Sequence, residues 1–537
     1  MADILVLLHG WRRTVTAFLA GAASALAMPP FFVAPILLVT LSTLVLLLDA
    51  ADADPKPTHR RLVRPGPFFF VGWWFGFGYF LAGLYWIAEA LLVNAAAHGW
   101  LIPLALVFIP GGLAVFMAFG CMVAGWMWGT GMARVGVLAV WLTVFEYLRG
   151  ILFTGFPWNS FNHALGVHEA LIQGHALVGP HGAGFLVLLV AMLPAALWPR
   201  AIVGRGSRIA TALVATIFVG WAGYGAARLN LATHEVVEGV QLRIVQPNIP
   251  QDEKWDPDLR DRNFARLLEL TSQRTGQGQL GALGATHIIW PESAFPFLIN
   301  QRPDALSALS TTLPLGTNLI AGAIRSEPRG NGERVFRNSI YAFNDRAEIV
   351  DAYDKVRLVP FGEQIPFAAF LNRIGIIPLV SAPAGFIRGP GAGTLTTATA
   401  LPSATLTGLG LVCYEAIFPA FVRQGVLELE PDYLINVTND AWFGTSIGPH
   451  QHVFQARLRS VETGKPMVRA ANTGISTVMD GYGRTLSQID LGNRGVLDTS
   501  LPRALEATPY LRFGDLPIQV LLVMVLGISV YHLRKQI

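Results

Sequence analysis

Leu406-Thr407-Gly408-Leu409-Gly410-Leu411-Val412, followed directly by Cys413-Tyr414-Glu415-Ala416, is the stretch on which the reading of this chain turns. A short uncharged run of this kind reads as an apolar β-strand. Cys413 then stands at its end, where loops converge in α/β folds and active groups collect. It is one of only two cysteines in 537 residues. Upstream, Glu292 lies in Trp290-Pro291-Glu292-Ser293 and Lys355 in Tyr353-Asp354-Lys355-Val356-Arg357. A thiol, a carboxylate and an ammonium at such positions suggest covalent acyl chemistry. Their separation along the chain is large, so spacing by itself does not bring them together.

Working outward, short β-rich runs recur at Gln241–Val245, His287–Trp290, Asn318–Ala323, Ile340–Phe343, Leu406–Val412 and Tyr433–Val437. Helix-like segments, Leu259–Arg274 and His452–Glu462 among them, lie between or after these runs. This alternation implies an α/β domain whose helices cover sheet faces. It occupies residues 228–515, enough to bury its own core.

The rest of the chain reads differently. Hydrophobic residues make up 53% and charged residues 14%, whereas a soluble protein carries about a quarter charged residues. Runs near the roughly 20 residues a span needs fall at 13–29, 31–49, 67–88, 100–127, 134–149, 175–198 and 209–227, with another at 516–533. The expectation is a polytopic helical membrane domain over 1–227, with about seven transmembrane helices, and a final helix and tail over 516–537. Arg12 and Arg13, then Lys56, Arg60, Arg61 and Arg64, then Arg134, then Arg200, Arg205 and Arg208, and last Arg534 and Lys535 flank these runs. If basic loops stay in the cytoplasm, all five clusters fall on one side, both termini are inside and 228–515 lies outside. The net charge of +4 is thereby assigned to membrane orientation rather than to nucleic acid. Arg12-Arg13, the first run and Ala25-Leu26-Ala27 also resemble a signal peptide. A helical hairpin turning at Pro29-Pro30 is the preferred reading.

Other features invite plainer readings. Two cysteines make no disulfide framework, and Cys121 sits in an apolar run as a packing residue. Glu146 and Arg149 share a helical face and can pair, either to fix packing or to bind substrate. Gly72 and Gly76 permit close helix approach. Trp158 is most simply an interfacial anchor. His450 and His452 have no third ligand nearby in sequence, so no metal is expected. Asn436-Val437-Thr438 is a chance sequon at a strand end, and Gly389–Gly393 is a turn.

Several motifs in this order resemble the carbon–nitrogen hydrolase (nitrilase) superfamily, and within it the membrane-embedded apolipoprotein N-acyltransferase family. They are Gln246-Pro247-Asn248-Ile249-Pro250-Gln251 with Lys254-Trp255, Trp290-Pro291-Glu292, and Tyr353-Asp354-Lys355 through Leu358-Val359-Pro360-Phe361-Gly362-Glu363. Cys413-Tyr414-Glu415, Asn439-Asp440-Ala441-Trp442-Phe443-Gly444, Arg469-Ala470-Ala471-Asn472-Thr473-Gly474 and Thr154-Gly155-Phe156-Pro157-Trp158 complete the set. The resemblance implies a four-layer α-β-β-α sandwich on an eight-helix membrane base. It implies Cys413 as nucleophile, Glu292 as general base, Lys355 with the Tyr414 N–H on the oxyanion, and Glu363 as an assisting carboxylate. Trp255, Tyr414, Glu415, Trp442, Phe443 and Trp158 are carried along as substrate-binding or gating candidates, although Glu415 reads more simply as structural.

The implied reaction is ping-pong, with no cofactor. An acyl chain moves from a phospholipid, phosphatidylethanolamine by the resemblance, to Cys413, and then to the α-amino group of a diacylated apolipoprotein's N-terminal cysteine. Expected partners are these two lipid-anchored substrates and the membrane lipid, with the chain acting as a monomer in a bacterial inner membrane. Two rivals are a membrane-tethered amidase or nitrilase acting on a small C–N substrate, and a transporter or scaffold with a degenerate catalytic domain.

Overall fold

The computed structural model describes residues 2–53, 66–199, 203–274, 281–328, 334–364, 385–399 and 405–536. Lys56, Arg60, Arg61, Arg64 and Arg200, counted above as orienting charges, lie outside the described residues, as do the side chains of Arg534 and Lys535. The chain divides into two compact units. One comprises Met1–Ala88, Ala97–Leu231 and Arg512–Ile537, and the other Glu89–Ala96 with Ala232–Leu511. Nothing in the hydropathy pattern separated Glu89–Ala96 from its flanks.

The first unit is helical. Among the described residues, four helices lying wholly or almost wholly in it are long and apolar enough to cross a membrane: Pro67–Leu84, Ala95–Gly125, Gly131–Thr154 and Arg205–Asn230. His175–Ala191 and Leu516–Ile528 are apolar but shorter. Gly10–Ser24 and Ile36–Asp52 are helices of 15 and 17 residues. The expected run 175–198 is interrupted for a local reason: Gly179 takes φ +68° ahead of Pro180, and the helix stops at Ala191. The short run 134–149 instead becomes a 21-residue helix, Gly131–Ile151. Gly72 lies so close to the Ile102–Gly125 helix that a Cβ on it would stand 2.8 Å from Cys121. Cys121 is fully buried at that contact, a packing position.

Two charged groups of this unit sit differently from the sequence reading. Arg134, counted as a loop charge, is buried inside its helix. It pairs with Asp49 at 3.0 Å and donates to the carbonyls of Ala195 and Trp198 at 2.8 and 2.7 Å. Arg149 lies 3.7 Å from Glu146 and donates to the carbonyls of Phe156 and Trp158 at 2.5 and 2.7 Å. Glu146 in turn accepts from the Phe161 N–H at 3.0 Å. The pair therefore folds the 156–161 loop onto the helix end, because buried charges need hydrogen-bond partners. Trp158 is 1% exposed and stacks on Phe156. That burial makes it a packing residue of the loop rather than an interfacial anchor.

The second unit contains two six-stranded sheets. Its strands are β1 (Val236–Gln246), β2 (His287–Trp290), β3 (Asn318–Pro328), β4 (Arg334–Phe343), β5 (Ile349–Asp354) and β6 (Thr394–Ala398). The later ones are β7 (Thr405–Val412), β8 (Tyr433–Thr438), β9 (Met467–Ala471), β10 (Ser476–Met479), β11 (Thr485–Ile489) and β12 (Gly495–Pro502). The orders are β12-β1-β2-β3-β4-β5 and β11-β10-β9-β8-β7-β6. β1-β2-β3 and β7-β8-β9 are parallel, and the remaining pairings antiparallel. The strand period of two sorts the side chains. Ile244, Ile289 and Ile340 of one sheet meet Val412, Ile435 and Val468 of the other in a shared core. Ile288, Trp290 and Leu319 point the opposite way, onto Phe264 and Leu267 of helix Arg260–Ser272 and Leu309 of helix Pro303–Thr312. The second sheet carries Pro419–Leu429 and Gly448–Thr463, the latter almost wholly buried. Runs buried on both faces explain why β2, β7 and β8 lack charge.

Candidate active site

β7 delivers Cys413 into a turn rather than a continuing strand. Its φ is +52°, in the left-handed region, which costs a side-chain-bearing residue roughly 1–2 kcal/mol. Such strain persists where the surroundings over-determine it, and here they do. The buried Glu415 carboxylate accepts the N–H groups of Val412 at 2.7 Å, Val356 at 2.7 Å and Arg357 at 2.9 Å, and the Tyr353 hydroxyl at 2.9 Å. It thus ties the nucleophile turn to the segment after β5 that carries Lys355. Burial pushes Glu415 up to about 7, against the opposing pull of the Val412 and Arg357 amides. With its oxygens taken by four donors, Glu415 holds the turn and has no acceptor left for a substrate.

Glu292 follows β2 and Pro291, and is buried. Gly322 on β3 lets it approach: a Cβ there would stand 2.5 Å from the Glu292 Cα and 2.7 Å from the Pro291 oxygen. Asn338 of β4 donates its one amide group to Glu292 Oε1 at 2.7 Å and to Glu363 Oε1 at 2.8 Å. Lys355, 1% exposed, reaches Glu363 Oε2 at 2.8 Å and Glu292 Oε1 at 3.6 Å. The Val359 N–H also donates to Glu363, at 2.9 Å. Burial works against the Lys355 ammonium, but Glu363, Glu292 and Cys413 outweigh it and hold the group above its ordinary range. Burial, and then Glu292, push the Cys413 thiol up, while Lys355 pulls the other way. Thiol, ammonium and two carboxylates therefore gather at the ends of β2, β5 and β7, the carboxylates and ammonium in contact and the thiol within reach of the charges of Glu292 and Lys355.

Beneath Cys413, on the helix side of the second sheet, lies a buried polar cluster. His452 Nδ1 stands 2.8 Å from Asp440 Oδ1, and His452 Nε2 stands 3.2 Å from the Cys413 carbonyl oxygen. Arg469 donates to Asp440 Oδ2 at 2.7 Å and also to Asn436. Asn436 donates to the carbonyl of Leu411 at 3.0 Å. Burial opposes the Asp440 anion, yet Arg469 and His452 hold its carboxyl below the usual range. Cys413, Asp440 and His452 offer ligand atoms within 4.8 Å of one another. They do not suit a cation, because both imidazole nitrogens and both carboxylate oxygens already have partners, one of them the Arg469 guanidinium.

The motif after β1 is explained by its course. The Asn248 N–H donates to the Asn472 carbonyl at 3.0 Å, Asn472 bonds both backbone groups of Ile249, and Asn439 donates to Gln251 at 2.6 Å. Glutamine and asparagines thus staple this segment across the ends of β8 and β9. The staple delivers Lys254, whose Nζ donates to the Glu292 carbonyl at 2.9 Å.

Residues 20–193 match the apolipoprotein N-acyltransferase N-terminal domain, and 241–510 match carbon-nitrogen hydrolase. An apolipoprotein N-acyltransferase of Rhodopseudomonas palustris is 40% identical over 100% of this chain and 98% of its own length. One from Bradyrhizobium diazoefficiens is 40% identical over 99% and 97%. This chain belongs to the apolipoprotein N-acyltransferase family. A solved amidase of the nitrilase superfamily from Nesterenkonia AN1 aligns with 53% of this chain and 98% of its own at a TM-score of 0.33 and 21% identity.

Within that family frame, the described residues bring Glu292, Lys355, Glu363 and Cys413 together. Tyr414 is buried edge-on against Phe418, their centroids 4.9 Å apart. Phe443 meets the His452 ring at 5.8 Å, and Trp255 and Trp442 are half-buried. Trp158 belongs to the other unit. The sequence reading missed Asn338, Lys254 and the Asp440–His452–Arg469 cluster as site groups. Lys254 and Asp440 stood inside quoted motifs; Asp440, charged in otherwise uncharged company, was a usable signal, whereas Lys254 sits among Asp252, Glu253 and Asp256 and did not stand out. Asn338 sits in an unremarkable strand and gave none.

Proposed function

We propose that this chain transfers an acyl chain from a phospholipid, phosphatidylethanolamine as the leading donor, onto the N-terminal S-diacylglyceryl cysteine of apolipoproteins. The observation that carries the reading is the strained Cys413 turn beside Glu292, Lys355 and Glu363, in a chain of this family. Cys413 rests as the thiol, since burial and Glu292 both disfavour the thiolate. Its proton therefore leaves as sulfur attacks the ester carbonyl, and Glu292 receives it as general base. The Lys355 ammonium and the Tyr414 N–H then stabilise the oxyanion, a contribution of about 3–4 kcal/mol for each such donor. Glu292 returns the proton to the departing lysophospholipid alkoxide, leaving a Cys413 thioester. The acceptor amine attacks that thioester, Glu292 takes the amine's proton, and the amide forms as the thiol is restored.

Glu363 is assigned to holding Lys355 in place, and Trp255, Trp442 and Phe443 to lining or gating the entry for lipid chains. Both substrates are lipid-anchored, so the reaction calls for a site at a membrane surface. We assign the helical unit to eight spans, both termini to the cytoplasm, the second unit to a four-layer α-β-β-α sandwich on the periplasmic face of a bacterial inner membrane, and the working form to a monomer. The decisive test incubates purified protein with acyl-labelled phosphatidylethanolamine, with and without a diacylated lipopeptide. A hydroxylamine-sensitive label on wild type, absent from Cys413→Ala and chased onto the lipopeptide amine, is the expected outcome. Normal transfer by Cys413→Ala, or release of ammonia from small amides without any lipid donor, would overturn it.

A further inference from the structure

The proposed reaction leaves one buried ionisable group of the pocket unused. Lys254 is 4% exposed, and its Nζ donates to the carbonyl of Glu292 at 2.9 Å, just where Ser293 takes φ +49°. Its ammonium also interacts with the Glu292 carboxylate and the Cys413 sulfur. The turn that carries it is fixed on both sides: Asn439 grips Gln251, and Asn263 donates to the Glu253 carbonyl at 3.0 Å. A lysine is a costly choice here if a hydrogen bond were all that was required, since burying an ammonium carries a large desolvation penalty.

We infer that Lys254 is a positioning residue with an electrostatic task, holding Glu292 in its turn and balancing the charge of the pocket so that the Cys413 sulfur can become negative. The inventory around the sulfur supports this. Glu292 after β2 and Glu363 after β5 are two anions, and Lys355 alone would leave the group one charge negative. Asp440 after β8 is offset by Arg469 of β9, with His452 of helix Gly448–Thr463 between them. Glu415, in the nucleophile turn, is met by backbone amides and Tyr353. On the Lys254 segment itself, Glu253 is exposed and paired with Arg262 at 2.5 Å. Lys254 thus makes the cluster of Glu292, Glu363, Lys355 and Lys254 neutral. When the S–H bond breaks and an O–H bond forms on Glu292, one anion replaces another and the total is unchanged. Without Lys254 the same step has to place charge on sulfur in a net negative pocket. Burial lowers Lys254 to about 8, with Glu292 and Cys413 pulling back, so it is still charged at neutral pH.

The role rests on Cys413 being the nucleophile, but its test needs neither phospholipid nor lipopeptide. The rate of Cys413 carbamidomethylation by iodoacetamide, followed on the Cys413 peptide by mass spectrometry between pH 6 and 10, reports thiolate formation in the full-length protein. Lys254→Gln keeps a donor for the Glu292 carbonyl and drops the charge; Lys254→Arg keeps the charge. Below about pH 8, where Lys254 keeps its charge, the expected result is about tenfold slower labelling of Lys254→Gln than of wild type at fixed pH, the gap closing above it, with Lys254→Arg near wild type in the lower range. An unchanged profile in a folded Lys254→Gln, or equal slowing in both variants, overturns the inference. Should wild type label normally yet transfer no acyl group, the functional reading fails while this one stands.

Discussion

Glu363 holds the Lys355 ammonium at 2.8 Å, while Glu292 stands 3.6 Å from the same nitrogen. The two carboxylates are thus unequal, and the closer one leaves the other available for proton work. Two like charges in one pocket tolerate each other only when something bridges them, and Asn338 does so with a single amide group. Glu363→Gln should therefore leave Cys413 able to accept acyl groups at a rate lowered about 10²–10³-fold, the size of a misplaced oxyanion donor. Glu292→Gln should abolish thioester formation altogether. Single-turnover labelling with acyl-tagged phospholipid separates the two, and equal losses in both variants would refute the division of labour.

Gly322 offers a test that touches no ionisable group. The atoms its Cβ would meet are backbone, at Glu292 Cα, Pro291 O and Ser293 N, so they cannot swing aside as a side-chain tip can. Gly322→Ala should shift the Glu292 turn by a fraction of an ångström or more. Displacements near 1 Å can cost about 10²-fold in rate. Acyl transfer should fall by that order while the protein still elutes as a folded species. Wild-type turnover would mean that the base tolerates a loose position.

How much of this could be read from sequence depends on what each residue's signal was. His287–Trp290 and the end of β7 were legible because strands buried on both faces lack charge, and their bounds came out closely; β1 was caught only from Gln241 although it starts at Val236, and its buried Arg243 breaks that pattern. β11 and β12 were not, since their exposed and half-buried faces look like polar loop. The helix over 175–198 misled because hydropathy averages across Gly179, where the backbone turns. Arg134 misled for a related reason: a charge beside an apolar run looks like a loop residue until Asp49, far away in sequence, supplies its partner. In the site, motif residues carried their own signal, whereas Asn338 acts only through what the fold sets beside it.

His287 provides a pH dependence outside the site. It is fully buried between the sheets, with its nitrogens 2.9 Å from Thr286 Oγ1 and Thr397 Oγ1, and burial lowers it to about 4. The unfolded chain takes up this proton near pH 6.5, the folded one only near 4. The stability carried by neutral His287 is therefore complete above about pH 6.5 and lost as pH falls toward 4, up to about 3 kcal/mol. His287→Gln has no such proton to bind. Its deficit in thermal midpoint against wild type should be plain at pH 7.5 and shrink markedly by pH 4.5. A constant deficit would show that His287 accepts its proton without cost.

Arg469 and Asp440 are both fully buried and 2.7 Å apart, directly under the nucleophile turn. A buried ion pair stabilises little by itself, because desolvation of both groups offsets their attraction. Removing one partner is another matter. Arg469→Met strands the Asp440 anion and releases Asn436, whose amide supports the Leu411 carbonyl. Asp440→Asn strands the Arg469 cation in turn. Each should cost about 3–5 kcal/mol and slow Cys413 alkylation, since the same cluster approaches the Cys413 carbonyl through His452. The double variant Arg469→Met with Asp440→Asn leaves no unpaired charge and should be more stable than either single one. Thermal unfolding of the purified proteins measures the three deficits, and non-additivity of 0.5–3 kcal/mol is typical of contacting groups, roughly speaking. Additive losses would mean that the two side chains act separately and that the turn draws its support from Glu415 alone.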